Sequence, residues 1–93
     1  MATFNVTLSK HSTLVANVVD IVNISGTHAR VRVTNRGATA IFVRADGIDP
    51  TFGGDNTLGL LPNTEKLVTV PDINNISIKI FSTGAIAYSV EAE

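Results

Sequence analysis

The sequence predicts an all-β chain, a small two-sheet β-sandwich of about eight short antiparallel strands, with a closed barrel as the alternative. Three observations predict it. First, Val, Ile and Thr supply 31 of the 93 residues, and β-branched side chains, stiff at χ1, fit a pleated surface better than a helix. Second, apolar and polar residues alternate with period two, the mark of strands with one buried face. Third, turn-forming residues separate these runs at regular distances. The best helical spacing, Leu14, Val15, Val18, Val19 and Val22, fits a strand equally well, and Asn17 and Asp20 disfavour a helix interior.

The expected strands cover residues 3–9, 13–24, 29–35, 39–45, 57–60, 65–70, 75–81 and 85–91 in one domain, 1–93. In the first, Phe4, Val6 and Leu8 oppose Asn5, Thr7 and Ser9. The second is apolar on both parities, which suits a central strand, a bulge that switches parity, or a face covered by another subunit. Val31 and Val33 oppose Arg30 and Arg32, and Ile41 and Val43 oppose Phe42 and Arg44. Asn35-Arg36-Gly37 is the expected tight hairpin, with Gly37 supplying a positive φ. Ile76, Ile78 and Ile80 oppose Ser77 and Lys79, and Ile86, Tyr88 and Val90 oppose Ala87, Ser89 and Glu91. The first segment could also join a neighbour's sheet as an edge strand.

Size and charge narrow the function classes. The scaling of surface with chain size gives about 9,000 Å² buried on folding. With roughly 60% of it apolar, burial contributes about 135 kcal/mol, against about 140 kcal/mol for ordering the chain. There is no cysteine, hence no disulfide to add to that balance. Support from other copies or from a partner surface fits this arithmetic. Charged residues are 16% of the chain and the net charge is −1, no footprint for nucleic acid or an anionic membrane. No secretory leader or membrane-length apolar run is visible, so the chain is expected to stay in the cytoplasm where it is made, or to be assembled there into something larger.

Chemistry-bearing patterns are weak. His11 and His28 lie seventeen apart, outside any H-x-x-x-H spacing, and read as surface loop residues. The segment from Asp46 to Asn56 holds three carboxylates, but Pro50 breaks the EF-hand pattern. It reads as a turn-rich loop in which Gly47, Pro50, Gly53 and Gly54 set the backbone. An opportunistic cation or a partner-contact tip are the alternatives, with Phe52 as a possible anchor. Arg30, Arg32, Arg36 and Arg44 hold all the arginine and read as solvated sheet face or as ion-pair partners for a neighbouring subunit. Asn5-Val6-Thr7, Asn23-Ile24-Ser25 and Asn75-Ile76-Ser77 match the glycosylation sequon, at a frequency near that expected by chance in a chain this rich in Asn, Ser and Thr. No catalytic, cofactor-binding or metal-binding residue is singled out, no cofactor is expected, and the chain is not read as an enzyme.

Two stretches carry a resemblance. One is residues 40–56, with Asp46-Gly47, Pro50-Thr51 and Gly53-Gly54, followed by Leu61-Pro62. The other is residues 78–91, with Lys79-Ile80-Phe81-Ser82, Gly84 and Tyr88-Ser89-Val90-Glu91. Together with Val31-Arg32-Val33-Thr34-Asn35-Arg36-Gly37 they resemble small virion proteins of tailed phages, especially those of actinobacteria. Those proteins share a D-G-x-x-P-T-x-G-G-type turn and an ending like K-L-I-S-x-G-x-x-x-Y-S-V-E; Ile80-Phe81 replaces Leu-Ile here. The resemblance implies a virion structural protein, preferably a capsid decoration protein that sits as a homo-oligomer, such as a trimer, on the major capsid protein. A tail or head–tail connector component and a carbohydrate- or surface-binding module are the other readings. The resemblance brings no functional site residues.

Overall fold

The computed structural model describes residues 2–93, which contain nine strands and no helix. They are β1 (Thr3–Val6), β2 (Ser9–Thr13), β3 (Asp20–Ile24), β4 (Arg30–Asn35), β5 (Ile41–Arg44), β6 (Leu58–Leu60), β7 (Glu65–Thr69), β8 (Ile76–Phe81) and β9 (Ala87–Ala92). One sheet runs β1-β3-β8-β5-β6 and the other β2-β9-β4-β7. They do not close into a barrel, so the sandwich expectation holds and the barrel alternative falls.

The pairing has a simple logic. β2 pairs β9, β3 pairs β8, β4 pairs β7 and β5 pairs β6, all antiparallel. These are the rungs of one long hairpin whose tip is the loop 45–57. Rolling that hairpin on itself adds the β4–β9 and β5–β8 ladders and places successive strands in opposite sheets, except for β5 and β6 at the tip. This is a jelly roll, or double-stranded β-helix. β1 is an addition, pairing parallel to β3 at the end of the first sheet.

Strand alternation fills the space between the sheets. Val22, Ile24, Ile41, Val43, Leu60, Ile76, Ile78 and Ile80 come from one sheet, and Val31, Val33, Val68, Tyr88, Val90 and Ala92 from the other. Asp20 and Asn35 are among the polar residues buried with them. The Tyr88 hydroxyl of β9 donates to Asp20 Oδ2 of β3 at 3.0 Å, linking the sheets through the core. Burial, followed by the Asp20 charge, pushes the Tyr88 phenol above its ordinary value. Asn35 donates to the carbonyls of Thr39 (2.9 Å) and Leu60 (3.0 Å) and accepts from the Gly37 amide (2.9 Å).

The corrections concern where the chain changes sheets. The expected strand 3–9 divides at Thr7-Leu8 into β1 and the start of β2. The expected strand 13–24 is not continuous. Residues 14–19 form a crossing held by Leu14 N–H to the Ile86 carbonyl and Asn17 N–H to the Ser82 carbonyl, both 2.8 Å. Asn17 turns the chain at φ 62°. The apolar residues of both parities are explained by this crossing, in which Leu14 is buried and Val15 exposed. Asn35-Arg36-Gly37 is not a hairpin either, because β4 and β5 belong to different sheets. Gly37 has no positive φ. A Cβ there would stand 2.5 Å from Ile86 Cγ2, so the position needs glycine for close packing.

Candidate functional site

Rolling a hairpin leaves its tip strands as edges. β6 ends one sheet and β7 the other. Between them lies a cleft of about 300 Å³ bordered by Val43, Leu58, Val68, Val70 and Pro71. Large apolar side chains near these edges remain uncovered: Leu58 and Leu67 on the strands, and Leu61, 69% exposed, in the turn between them. β6 is only three residues long, and β7 presents Lys66 on the same parity as buried Val68. Short length and an inward-facing charge both discourage indiscriminate edge-to-edge pairing.

The loop 45–57 beside this rim is pinned by ion pairs and hydrogen bonds. Arg44 ion-pairs with Asp46 and donates from Nη1 to the Asp55 carbonyl at 3.1 Å. The guanidinium hydrogen bond is the main reason the Asp46 carboxyl is held down at about 2. Asp49 pairs with Lys79 of β8 at 2.9 Å. Gly47, Gly53 and Asn56 adopt positive φ, and Pro50 is buried. Two of the three loop carboxylates thus face cations of the same chain; among the described residues no group of three or more His, Asp or Glu is placed to hold a metal. Phe52 leans on Phe42 of β5, centroids 5.1 Å apart. It is nonetheless 71% exposed, and Phe42 lies opposite Gly59 of β6 in the ladder.

The arginines divide between the two outer faces. Arg30 and Arg32 meet Glu93 at 3.5 and 2.6 Å, and Arg32 meets Glu65 at 3.8 Å. These exposed pairs lie within one chain and each contributes little to stability. His11 lies on β2, not in a loop. Its Nδ1 sits 2.7 Å from the Ser89 hydroxyl, which also accepts from Arg36 Nε at 2.6 Å. Ser89 is fully buried, so this trio ties β2 and the β4 end to β9 and offers no open nucleophile. His28 is in the β3–β4 loop, within 3.2 Å of the Thr7 and Ser25 carbonyls.

A second concave surface, missed from the sequence, lies at the β1 end of the first sheet. It is an open groove of about 480 Å³. Asn5 is in register with Asn23, and Asn23 with Ser77. The three sequon-like tripeptides therefore converge here. Their signal was the repeated Asn-aliphatic-Ser/Thr pattern.

No known protein-family model matches the chain, and no curated protein is significantly similar to it. Among solved structures it is similar to a de novo designed double-stranded beta-helix determined by solution NMR. The TM-score is 0.60 at 19% identity, over 91% of this chain and 97% of that one. At that identity the likeness concerns the fold alone, and it agrees with the strand pairing described above.

Proposed function

We propose that this protein is a virion structural component of a tailed phage, a capsid decoration protein that binds the outer surface of the head. The observation that carries the reading is the uncovered apolar rim, with Leu58, Leu61 and Leu67 at the open edges of the two sheets, and exposed Phe52 on the pinned loop that follows β5. Exposed large apolar side chains gathered near open sheet edges, with polar surroundings, suit protein contact sites. The sequence resemblance to phage virion proteins supplies the partner, the major capsid protein. The jelly roll accommodates this role, since such folds recur in viral capsids, though a fold alone does not assign function. On this reading the chain acts by adhesion and copies associate on the head as a homo-oligomer.

Co-sedimentation of the purified protein with expanded heads of its phage tests the proposal. The wild type is expected to pellet with heads at saturable stoichiometry. The Leu58→Asp/Leu67→Asp double variant, checked for folding by circular dichroism, is expected to stay in the supernatant. Absence of wild-type binding to heads, or labelling confined to tails in immunogold micrographs, contradicts it.

A further inference from the structure

The geometry points to a second, separate site: the β1-end groove binds a neutral polyhydroxylated ligand, a carbohydrate chain. Asn5-Val6-Thr7, Asn23-Ile24-Ser25 and Asn75-Ile76-Ser77 repeat one pattern. In each, the middle residue faces inward; Ile24 and Ile76 are core residues and half-buried Val6 packs against the core. The flanking residues face out. The parallel β1–β3 register sets Asn5 beside Asn23, and the antiparallel β3–β8 register sets Asn23 beside Ser77. Continued by one residue pair, the same registers bring Thr7, Ser25 and Asn75 into a second row. The result is two rows of amides and hydroxyls across three strands, walled by Gly26 and Asn74.

The chemistry of this grid selects the ligand. None of its lining residues is ionisable, so charge does not recruit phosphates, carboxylates or nucleic acid. Each amide is already held through one half. Asn23 Nδ2 donates to Asn5 Oδ1 at 3.2 Å, Thr27 donates to Asn74 Oδ1 at 2.8 Å, and Asn75 Nδ2 donates to Asp72 Oδ2 at 3.2 Å. These bonds orient the amides, and the opposite halves supply both donors and acceptors. Sugar hydroxyls likewise donate and accept, and they are spaced around a ring. A peptide strand would instead pair with the free backbone edge of β1, whereas the side-chain rows of this groove lie across the face of β1, β3 and β8. Its size falls in the range of small-ligand sites; its openness implies weak, millimolar binding.

The test is a ¹⁵N NMR titration of the whole protein with maltotriose, cellotriose or chitotriose, each to about 50 mM, a range suited to millimolar affinity. Saturable shifts of the Asn5, Asn23, Asn74, Asn75 and Ser77 signals by at least one neutral trisaccharide are expected. The affinity should be unchanged from about 0.05 to about 0.5 M NaCl, since no ion pair is screened. Asn23→Ala and Ser77→Ala, with spectra otherwise native, should each weaken binding roughly 5- to 10-fold through loss of hydrogen bonds, while Leu67→Ala on the rim should not. No shift with any of the three sugars, shifts equal in the groove variants, or a response to trialanine without one to sugars overturns the proposal. The outcome is independent of head binding, which uses the rim.

Discussion

Removing the Tyr88 hydroxyl tests how the two sheets are joined. In Tyr88→Phe the ring keeps its volume, but Asp20 loses a donor while remaining 2% exposed. A hydrogen bond to an acidic acceptor in the interior is worth about 1.5–3 kcal/mol, and the acceptor left behind keeps its desolvation cost. For 93 residues the unfolding entropy is about 0.2 kcal/mol/K, so a loss of about 2 kcal/mol lowers Tm by about 10 °C. Thermal and urea unfolding followed by circular dichroism would measure both quantities. The pH dependence gives an independent reading. The folded phenol titrates above its unfolded value near 10. The unfolded chain therefore loses its proton first, and wild-type stability should fall as pH rises above about 10. Tyr88→Phe should lack that component of the alkaline slope. A Tm within about 2 °C of wild type together with an unaltered alkaline slope would refute the idea that this hydrogen bond holds the sheets together.

Two other substitutions probe the turns. Gly37→Ala drives a methyl group into buried Ile86, with approaches of 2.5 and 2.9 Å to Cγ2 and Cδ1. It should cost about 1–3 kcal/mol by overpacking, and Ile86→Ala should mask that cost in a double-mutant cycle; strict additivity by urea denaturation argues against the contact. Arg44→Gln should release the Asp46 carboxyl from about 2 toward the ordinary value near 3.9, followed by carboxyl NMR. The depressed value means that wild type gains stability from this group above its unfolded pKa and loses it as pH falls from about 4 to about 2. The variant should lack that component.

The sequence revealed strands more readily than sheets. Period-two alternation located most of β4, β5, β8 and β9 because inward, mostly apolar residues alternate there with outward, mostly polar ones. Alternation does not say which sheet a strand enters. The chain changes sheets at Thr7-Leu8, across residues 14–19 and after Asn35, where local residues resemble strand continuation or hairpin turns. Leu14 looks like a continuation of the strand, and it is the hydrogen bond to Ile86, distant in sequence, that helps fix it in the crossing. Gly37 looked like a turn glycine, yet the cause of its selection is a side chain 49 positions away. The rim was invisible for a related reason. Leu58 and Leu67 have ordinary strand spacing, and their exposure follows from the roll leaving β6 and β7 at the edges. The groove's tripeptides were legible one at a time. Their alignment required the parallel β1–β3 pairing, which alternation does not encode.

Hydrogen–deuterium exchange of the protein with and without expanded phage heads tests the central claim most directly. The account predicts slowed exchange confined to the loop 45–57, β6, the following turn and β7. The distant β1-end groove should exchange as in the free chain. Protection centred elsewhere, or an unchanged pattern at saturating head concentration, would contradict the rim as the contact surface.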